Sequence, residues 1–225
     1  MARFPYSEEE MGDAFLRRLR SRTALPGLGR FARVFREVDC ERGQPDFVGL
    51  SFSQRRPLPS GHSISGFATA TVLSLLKAES PRRLEYLVAQ SGFGREAVVS
   101  ALRNLLGQGF IERHVEDSYT LASARELFDV DVTAFELKLC GPRRAVFQAQ
   151  QYSLFAHRVV IVVPPSEVKG FRPYLPSLCR WGIGLARFDS ATRRFHLSLV
   201  PQRTIPVSRQ HQAYALLRLV SGGTA

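Results

Sequence analysis

The sequence predicts an α/β fold that carries a separate helical domain inside it. Three observations lead there. Residues 7–52 read as helix–strand–strand. A polar, Pro/Gly/Ser-rich stretch beginning at Ser53, "SQRRPLPSGHSISG", then separates them from a segment whose apolar residues follow the helical period. Beyond residue 125 strands return around "VVIVVPP", an apolar run without alternation that suits a strand covered on both faces. Strands separated by helices make an α/β pattern. The helical segment falls where a simple hairpin would otherwise join the second and third strands, so it reads as an insertion. The boundaries follow: residues 1–55 and 124–225 form a discontinuous α/β domain, and residues 60–123 an inserted domain.

Each element has its own signature. "SEEEMGDAFLRRLRSR" is an amphipathic helix with Met11, Phe15 and Leu19 on one face. Ser7 and Glu10 have capping-box spacing at its start. After the turn "LPGLG", Phe31–Cys40 alternates as a strand, "ERGQPD" turns, and Phe47–Phe52 is a second strand. In the insertion, "SGFATATVLSLLKAE", "PRRLEYLVAQSG" and "GREAVVSALRNLLGQGF" read as three helices, and "IERHVEDSYTLA" as a β-hairpin. Val98, Ala101, Leu102 and Leu105 would face inward on the third helix, leaving Arg95, Ser100, Arg103 and Asn104 outside. Downstream come a strand, "VDVTAFELKL"; a helix, "GPRRAVFQAQQYSLFAHR", with Pro142 in its first turn; and the buried strand. "SEVKGFRPYLPSL" reads as helical, "WGIGLARFD" and "RRFHLSLV" as paired strands, and "SRQHQAYALLRLV" as a closing helix.

The composition narrows the function. At 225 residues and 44% hydrophobic the chain can bury a real core. It has no membrane-length apolar run, and "MARFPYSEEEMGDAF" lacks the apolar core of a signal peptide, so a cytoplasmic location without membrane contact is expected. Cys40, Cys140 and Cys179 are odd in number and widely spaced, and the five histidines show no ligand spacing, which sets zinc and disulfides aside. A net charge of +11 suits a polyanionic partner, and it equally suits an arginine-rich composition, because only Lys77, Lys138 and Lys169 among the 31 basic residues are lysine. In such a chain, a lysine inside an apolar strand calls for a specific reason.

Lys138 sits in that position. Residues two apart on a strand share a face, so Glu136 and Lys138 point one way and Phe135, Leu137 and Leu139 the other. Two ionisable groups on a strand built for burial are costly unless paired or bound to something. Gln148 and Tyr152, four apart, share a face of the next helix. Asp46 opens the second strand and can approach Glu136 if strands two and three are neighbours. Together the two carboxylates form the oxygen-rich setting that Mg²⁺ prefers, with water filling its remaining positions.

In order, "GQPD", "ELK" and "QAQQY" match the G-x-x-D, E-x-K and Q-x-x-x-Y motifs of the PD-(D/E)xK nuclease superfamily, and the chain resembles its RecB-like branch over residues 7–52 and 126–190. The resemblance implies a restriction-endonuclease-like α-β-β-β-α-β core. It implies Asp46 and Glu136 as ligands of Mg²⁺ or Mn²⁺, and Lys138 orienting or activating the attacking water. Gln148 and Tyr152 would line the site and contact DNA or brace the catalytic groups. Residues 63–123 resemble a winged helix-turn-helix of the bacterial regulator type. The expected activity is metal-dependent hydrolysis of DNA phosphodiester bonds.

Other readings bear on the same residues. A degenerate nuclease core would leave a non-catalytic DNA-binding or regulatory protein. A third reading makes the chain an interaction subunit or homodimer, docking through a wing that is acidic at Glu112, Glu116 and Asp117. Arg95 and Arg103 on the third helix, and Arg55 and Arg56 in the linker, are the weaker candidates for nucleic-acid contact, with Arg82 and Arg83 able to extend that patch. The family often adds a glutamate on the first helix; Glu10 has the position, but its capping spacing explains it without catalysis. Glu37 reads either as a group facing the site or as a strand-edge charge. Asp129 and Asp131 read as turn and strand-end residues. Glu167 and Lys169 repeat the E-x-K spacing at a helix start without an acidic strand partner, and read as a solvated pair.

Overall fold

The computed structural model describes residues 6–52, 66–122 and 128–221. The chain has a mixed α/β fold in two compact units: Met1–Ser51 with Asp131–Val207, and Phe52–Val130 with Ser208–Ala225. Among the described residues no helix is long and apolar enough to cross a membrane.

The first unit is built on a six-stranded mixed sheet. Helix α1 (Glu8–Leu19) opens with a complete capping box, in which Ser7 and Glu10 satisfy each other's backbone amides. Strands β1 (Arg33–Arg36) and β2 (Phe47–Phe52) form an antiparallel hairpin. β1 is shorter than its alternation suggests, because Glu37 takes a left-handed φ of +51° and ends the extended run. At Gly49 the Phe31 ring lies so close that a Cβ would meet it at 2.5 Å, so the glycine provides the room for that aromatic.

The inserted segment leaves the order of the sheet intact. Numbering its strands β3 (Arg82–Arg83), β4 (Ile111–His114) and β5 (Ser118–Leu121), β6 (Val130–Leu137) lies directly beside β2. β6 runs parallel to β7 (Arg158–Val163) and β7 parallel to β8 (Gly184–Asp189), while β9 (Arg194–Leu199) closes the far edge antiparallel to β8. The sheet order is β1-β2-β6-β7-β8-β9.

One face of this sheet packs on α1. Phe15 is fully buried, and its ring meets Phe47, Phe135, Phe188 and Phe195 at centroid distances of 5.1–6.1 Å. The strand pleat therefore sends Phe135 and Leu137 into this core and leaves Glu136 on the other side.

The second unit holds α2 (Phe67–Leu75), α3 (Leu84–Ser91), α4 (Arg95–Gly107) and the three-stranded sheet β3-β5-β4. On α4, Val98, Ala101, Leu102 and Leu105 are buried while Arg95, Ser100, Arg103 and Asn104 are exposed, as the periodicity predicts. Arg82 and Arg83, expected inside a helix, instead form the strand β3 paired with Tyr119 and Ser118. At the β4–β5 hairpin, Glu116 pairs with Arg83, and Asp117 with Arg113.

The closing helix departs from the expected boundaries. Across the sheet connections, α5 (Pro142–Tyr152) joins β6 to β7, and a 3₁₀ segment (Pro165–Tyr174) with α6 (Leu175–Trp181) joins β7 to β8. Helix α7 (Arg209–Ser221), read from sequence as part of the α/β domain, belongs to the second unit. The reason lies in α2, which is buried at six consecutive positions from Thr69 to Ser74 and so needs neighbours on more than one side. α7 supplies one: the His211 and Tyr214 rings pack tilted against Phe67, and Arg209 donates to the Leu76 carbonyl.

Phe15→Ala should cost about 3–5 kcal/mol, because it empties the position where four other rings meet. Chemical denaturation should move its midpoint with the slope unchanged.

Candidate active site

The site assembles where β2 begins and β6 ends. The Glu37 amide donates to the Asp46 carbonyl at 3.1 Å, closing the β1–β2 connection and placing Asp46 just ahead of β2. Because β6 lies alongside, the Leu137 amide donates to Asp46 Oδ2 at 2.6 Å. That hydrogen bond fixes the aspartate between Glu136 and Lys138 along β6. Lys138 remains tied to the sheet, its amide donating to the Val162 carbonyl at 3.0 Å. Its ammonium Nζ lies 2.9 Å from Glu136 Oε1 and 3.5 Å from Glu8 Oε1.

Glu136 is 1% exposed, and α5 supplies the group that makes this burial tolerable. Tyr152, one turn after Gln148, donates its hydroxyl to Glu136 Oε2 at 2.5 Å and sits 3.3 Å from the Gln44 carbonyl. The ring reaches this position past Gly43, where φ is +147° and an added Cβ would meet the ring at 2.8 Å. The glycine and tyrosine of the two motifs are thus one steric device.

The electrostatics follow from burial and crowding. Desolvation, reinforced by the nearby Glu136 carboxylate, pushes the Asp46 pKa up to about 6, against the opposing pull of the Leu137 amide and the Lys138 ammonium. Burial alone would lower the Lys138 pKa, but attraction to Glu136, Glu8 and Asp46 wins and raises it, so the ammonium stays charged. Burial and the Glu136 carboxylate raise the Tyr152 pKa, so its hydroxyl keeps its proton.

Beside this network a cavity of about 290 Å³ is lined by Glu8, Glu9, Glu37, Asp46 and Arg36 among others. Four carboxylates there meet one guanidinium, and Arg36 is itself paired with Asp13 at 2.9 Å and with Glu37 at 3.5 Å. Among the described residues no three His, Cys, Asp or Glu side chains form a group able to hold a metal ion. Two carboxylates suffice for Mg²⁺, which keeps several of its waters. Glu136 Oε1 is buried, and the group it meets is the Lys138 ammonium at 2.9 Å. Mutual repulsion that raises the Asp46 pKa is what a divalent cation would relieve. Asp46 and Glu136 are the carboxylates that would hold Mg²⁺ or Mn²⁺, and of the two Asp46 lines the cavity.

The structure brings Asp46, Glu136, Lys138 and Tyr152 together. Gln148 is not joined to them by any hydrogen bond among the described residues; its Oε1 is buried without a partner. Arg95 and Arg103 lie exposed on α4, where Arg95 approaches Glu85 at 3.6 Å, and Arg55 and Arg56 lie outside the described residues. Glu10 is used as a cap, Glu37 lines the cavity, and Asp131 is held by Arg203 and Arg158. Glu8 escaped the sequence reading, although it lies three, four and seven positions before Met11, Gly12 and Phe15, on the helix face turned to the sheet. No protein family, curated protein or solved structure matches the chain.

The raised Asp46 pKa makes stability fall as pH rises from 3.8 to about 6, because the folded state holds more protons across that window. Above it the ionised carboxylate costs on the order of 1–2 kcal/mol, discounted for partial exposure. Asp46→Asn should therefore match wild type at pH 4 and exceed it at pH 8, measured by denaturant unfolding in EDTA. An asparagine variant weaker than wild type at pH 8 contradicts the repulsion.

Proposed function

We propose that the chain is a metal-dependent deoxyribonuclease, with Asp46, Glu136 and Lys138 as its catalytic centre. The observation that carries this reading is the 2.6 Å hydrogen bond from Leu137 to Asp46, which gathers two carboxylates and a charged lysine from segments 91 residues apart. The sheet order supports it: α1, β1, β2, β6, α5 and β7 follow the α-β-β-β-α-β succession, with β1, β2, β6 and β7 as consecutive neighbours and β6 parallel to β7. The helices and three-stranded sheet of the second unit are consistent with a winged helix whose α4 presents Arg95 and Arg103.

Each residue has a task that its surroundings define. Asp46 is oriented by the Leu137 amide and lines the cavity. Glu136 is clamped by Tyr152, whose retained proton always donates. Lys138 keeps its charge beside both carboxylates, where an ammonium can position a water and attract a phosphoryl oxygen. When Mg²⁺ or Mn²⁺ is bound by Asp46 and Glu136, the ion supplies water activation and positive charge at the phosphate. The acidic cavity adds selectivity of its own: it repels a polyanion until a cation neutralises it.

One observation favours the non-catalytic reading. Glu136 is 1% exposed, with one oxygen on Tyr152 and the other beside Lys138, so the network is also a complete buried polar cluster. Incubation of linear, circular and branched DNA with Mg²⁺ or Mn²⁺ separates the two. Wild type should cleave, and Asp46→Ala and Lys138→Ala should each lose about 10²-fold or more in rate. Pure wild type that cleaves no substrate would rule out the enzyme; cleavage that survives both substitutions would rule out the site.

A further inference from the structure

At the β8–β9 hairpin the first unit carries a second cavity, of opposite charge to the first. It encloses about 550 Å³ and is lined by Arg18, Arg187, Arg193, Arg194, His196 and Asp189. Four guanidiniums there meet one carboxylate, whereas the cavity at Asp46 sets four carboxylates against one guanidinium. The lone carboxylate is already engaged, because Asp189 Oδ1 accepts from the Ala191 and Thr192 amides at 3.0 and 3.2 Å and closes the hairpin turn. Arg18 is anchored as well, donating to the Thr23 and Ala24 carbonyls at 2.8 and 3.0 Å. Arg187, Arg193 and Arg194 are exposed and lie within 4.0 Å of no carboxylate among the described residues, although Arg194 is near enough to Asp189 to help lower its pKa.

Packing does not explain this arrangement. Phe188 and Phe195 pair across the strands and enter the core, so the opposite face receives Arg187 facing His196 and Asp189 facing Arg194. Two basic side chains directly across a strand pair weaken it when both are charged. Arg193 holds a φ of +54°, a left-handed conformation that glycine or asparagine adopts at lower cost. β9 is an edge strand, and charge on an edge discourages strand addition, but charge of either sign does that. Here the unpaired charges share one sign and surround a concavity.

We infer that this cleft binds the phosphodiester backbone of the nucleic acid that the site at Asp46 acts on, an assignment that rests on the nuclease reading. Helix α1 sets the spacing between the two cavities. Glu8 at its start lines the acidic one and Arg18 in its last turn the basic one, ten residues apart. At 1.5 Å per residue the separation is roughly 15 Å, or about four to five phosphates along one strand of a duplex. The cleft thus holds phosphates several nucleotides from the bond to be cut, with guanidinium donors suited to phosphate oxygens.

Binding of a labelled 20-base-pair duplex and of the matching single strand, measured by fluorescence anisotropy in EDTA over a salt series, tests this without cleavage. The variant Arg187→Ala/Arg193→Ala/Arg194→Ala should bind about tenfold or more weakly, and its salt slope should flatten by about 0.9 per arginine. Arg193→Gly alone should flatten the slope by about one step while thermal stability holds or rises, which a structural role for the arginine would not produce. Equal charge removal elsewhere, Arg30→Ala/Arg172→Ala/Arg180→Ala, should change the slope less. A cleft variant with wild-type affinity and slope overturns the inference. So does one that loses only competition by inorganic phosphate, since the cleft then serves a small anion. The nuclease reading fails separately, in a wild type that binds DNA through the cleft yet never cleaves it with metal.

Discussion

The hydrogen bond from the Leu137 amide to the Asp46 carboxylate decides what the first unit can be. Asp46 stands at the start of β2 and Leu137 at the end of β6, 91 residues away, so the bond exists only because the two strands are neighbours in one sheet. Once it forms, Asp46 is held within electrostatic reach of Glu136, Lys138 and Glu8, and its pKa rises to about 6 because burial and the second carboxylate oppose its charge. Such a cluster is unfavourable as a structural element unless its charges are matched. The matching is local: Lys138 neutralises Glu136 from the same strand, and Tyr152 satisfies the remaining oxygen from the following helix. Gly43 then becomes a consequence of Tyr152, since any side chain there would collide with the ring.

What the sequence disclosed follows the range of the forces involved. Helix α1, β2 and α4 were legible because each is set by its own periodicity, a capping pair or a turn. Strand alternation and helical spacing placed Glu136 with Lys138 and Gln148 with Tyr152, and the motif resemblance is what joined Asp46 to them. Features set by distant packing were not legible. The destination of α7 depended on α2 being buried along six consecutive residues, a pattern visible in "TATVLS" but without any indication of which helix would cover it. Arg82 and Arg83 follow a proline and carry no strand signature; the pairing offered by β5 makes them one. Gln148 shares the Tyr152 face by spacing, yet its amide oxygen is buried without a partner.

Helix α1 links the chemistry to the charge distribution. Its first turn carries Glu8, Glu9 and Glu10, and its last turn Arg17 and Arg18, the arrangement that the helix dipole favours. A stability account could end there. The helix also lies on the sheet through Phe15, which fixes where both ends stand: Glu8 beside Lys138 and the acidic cavity, Arg18 against the basic cleft. One dipole-compatible helix therefore has cavities of opposite charge at its two ends, so charge is not spread evenly over this unit.

That separation bears on how an acidic site meets a polyanion. Coulomb repulsion at the Asp46 cavity, where carboxylates outnumber guanidiniums, opposes the approach of phosphate until a cation is present. Attraction at the β8–β9 cleft acts roughly 15 Å away, beyond the screening length of about 8–10 Å at moderate salt, so neither field cancels the other. Under the proposed function, a backbone would be held at the cleft while its neighbouring phosphate waits on the occupancy of the carboxylate pair. Arginines placed next to Asp46 would pair with the carboxylates there and neutralise the acidic cavity. Under the proposed function, keeping the charges apart along one helix would let nucleic-acid binding and metal capture coexist in this one unit.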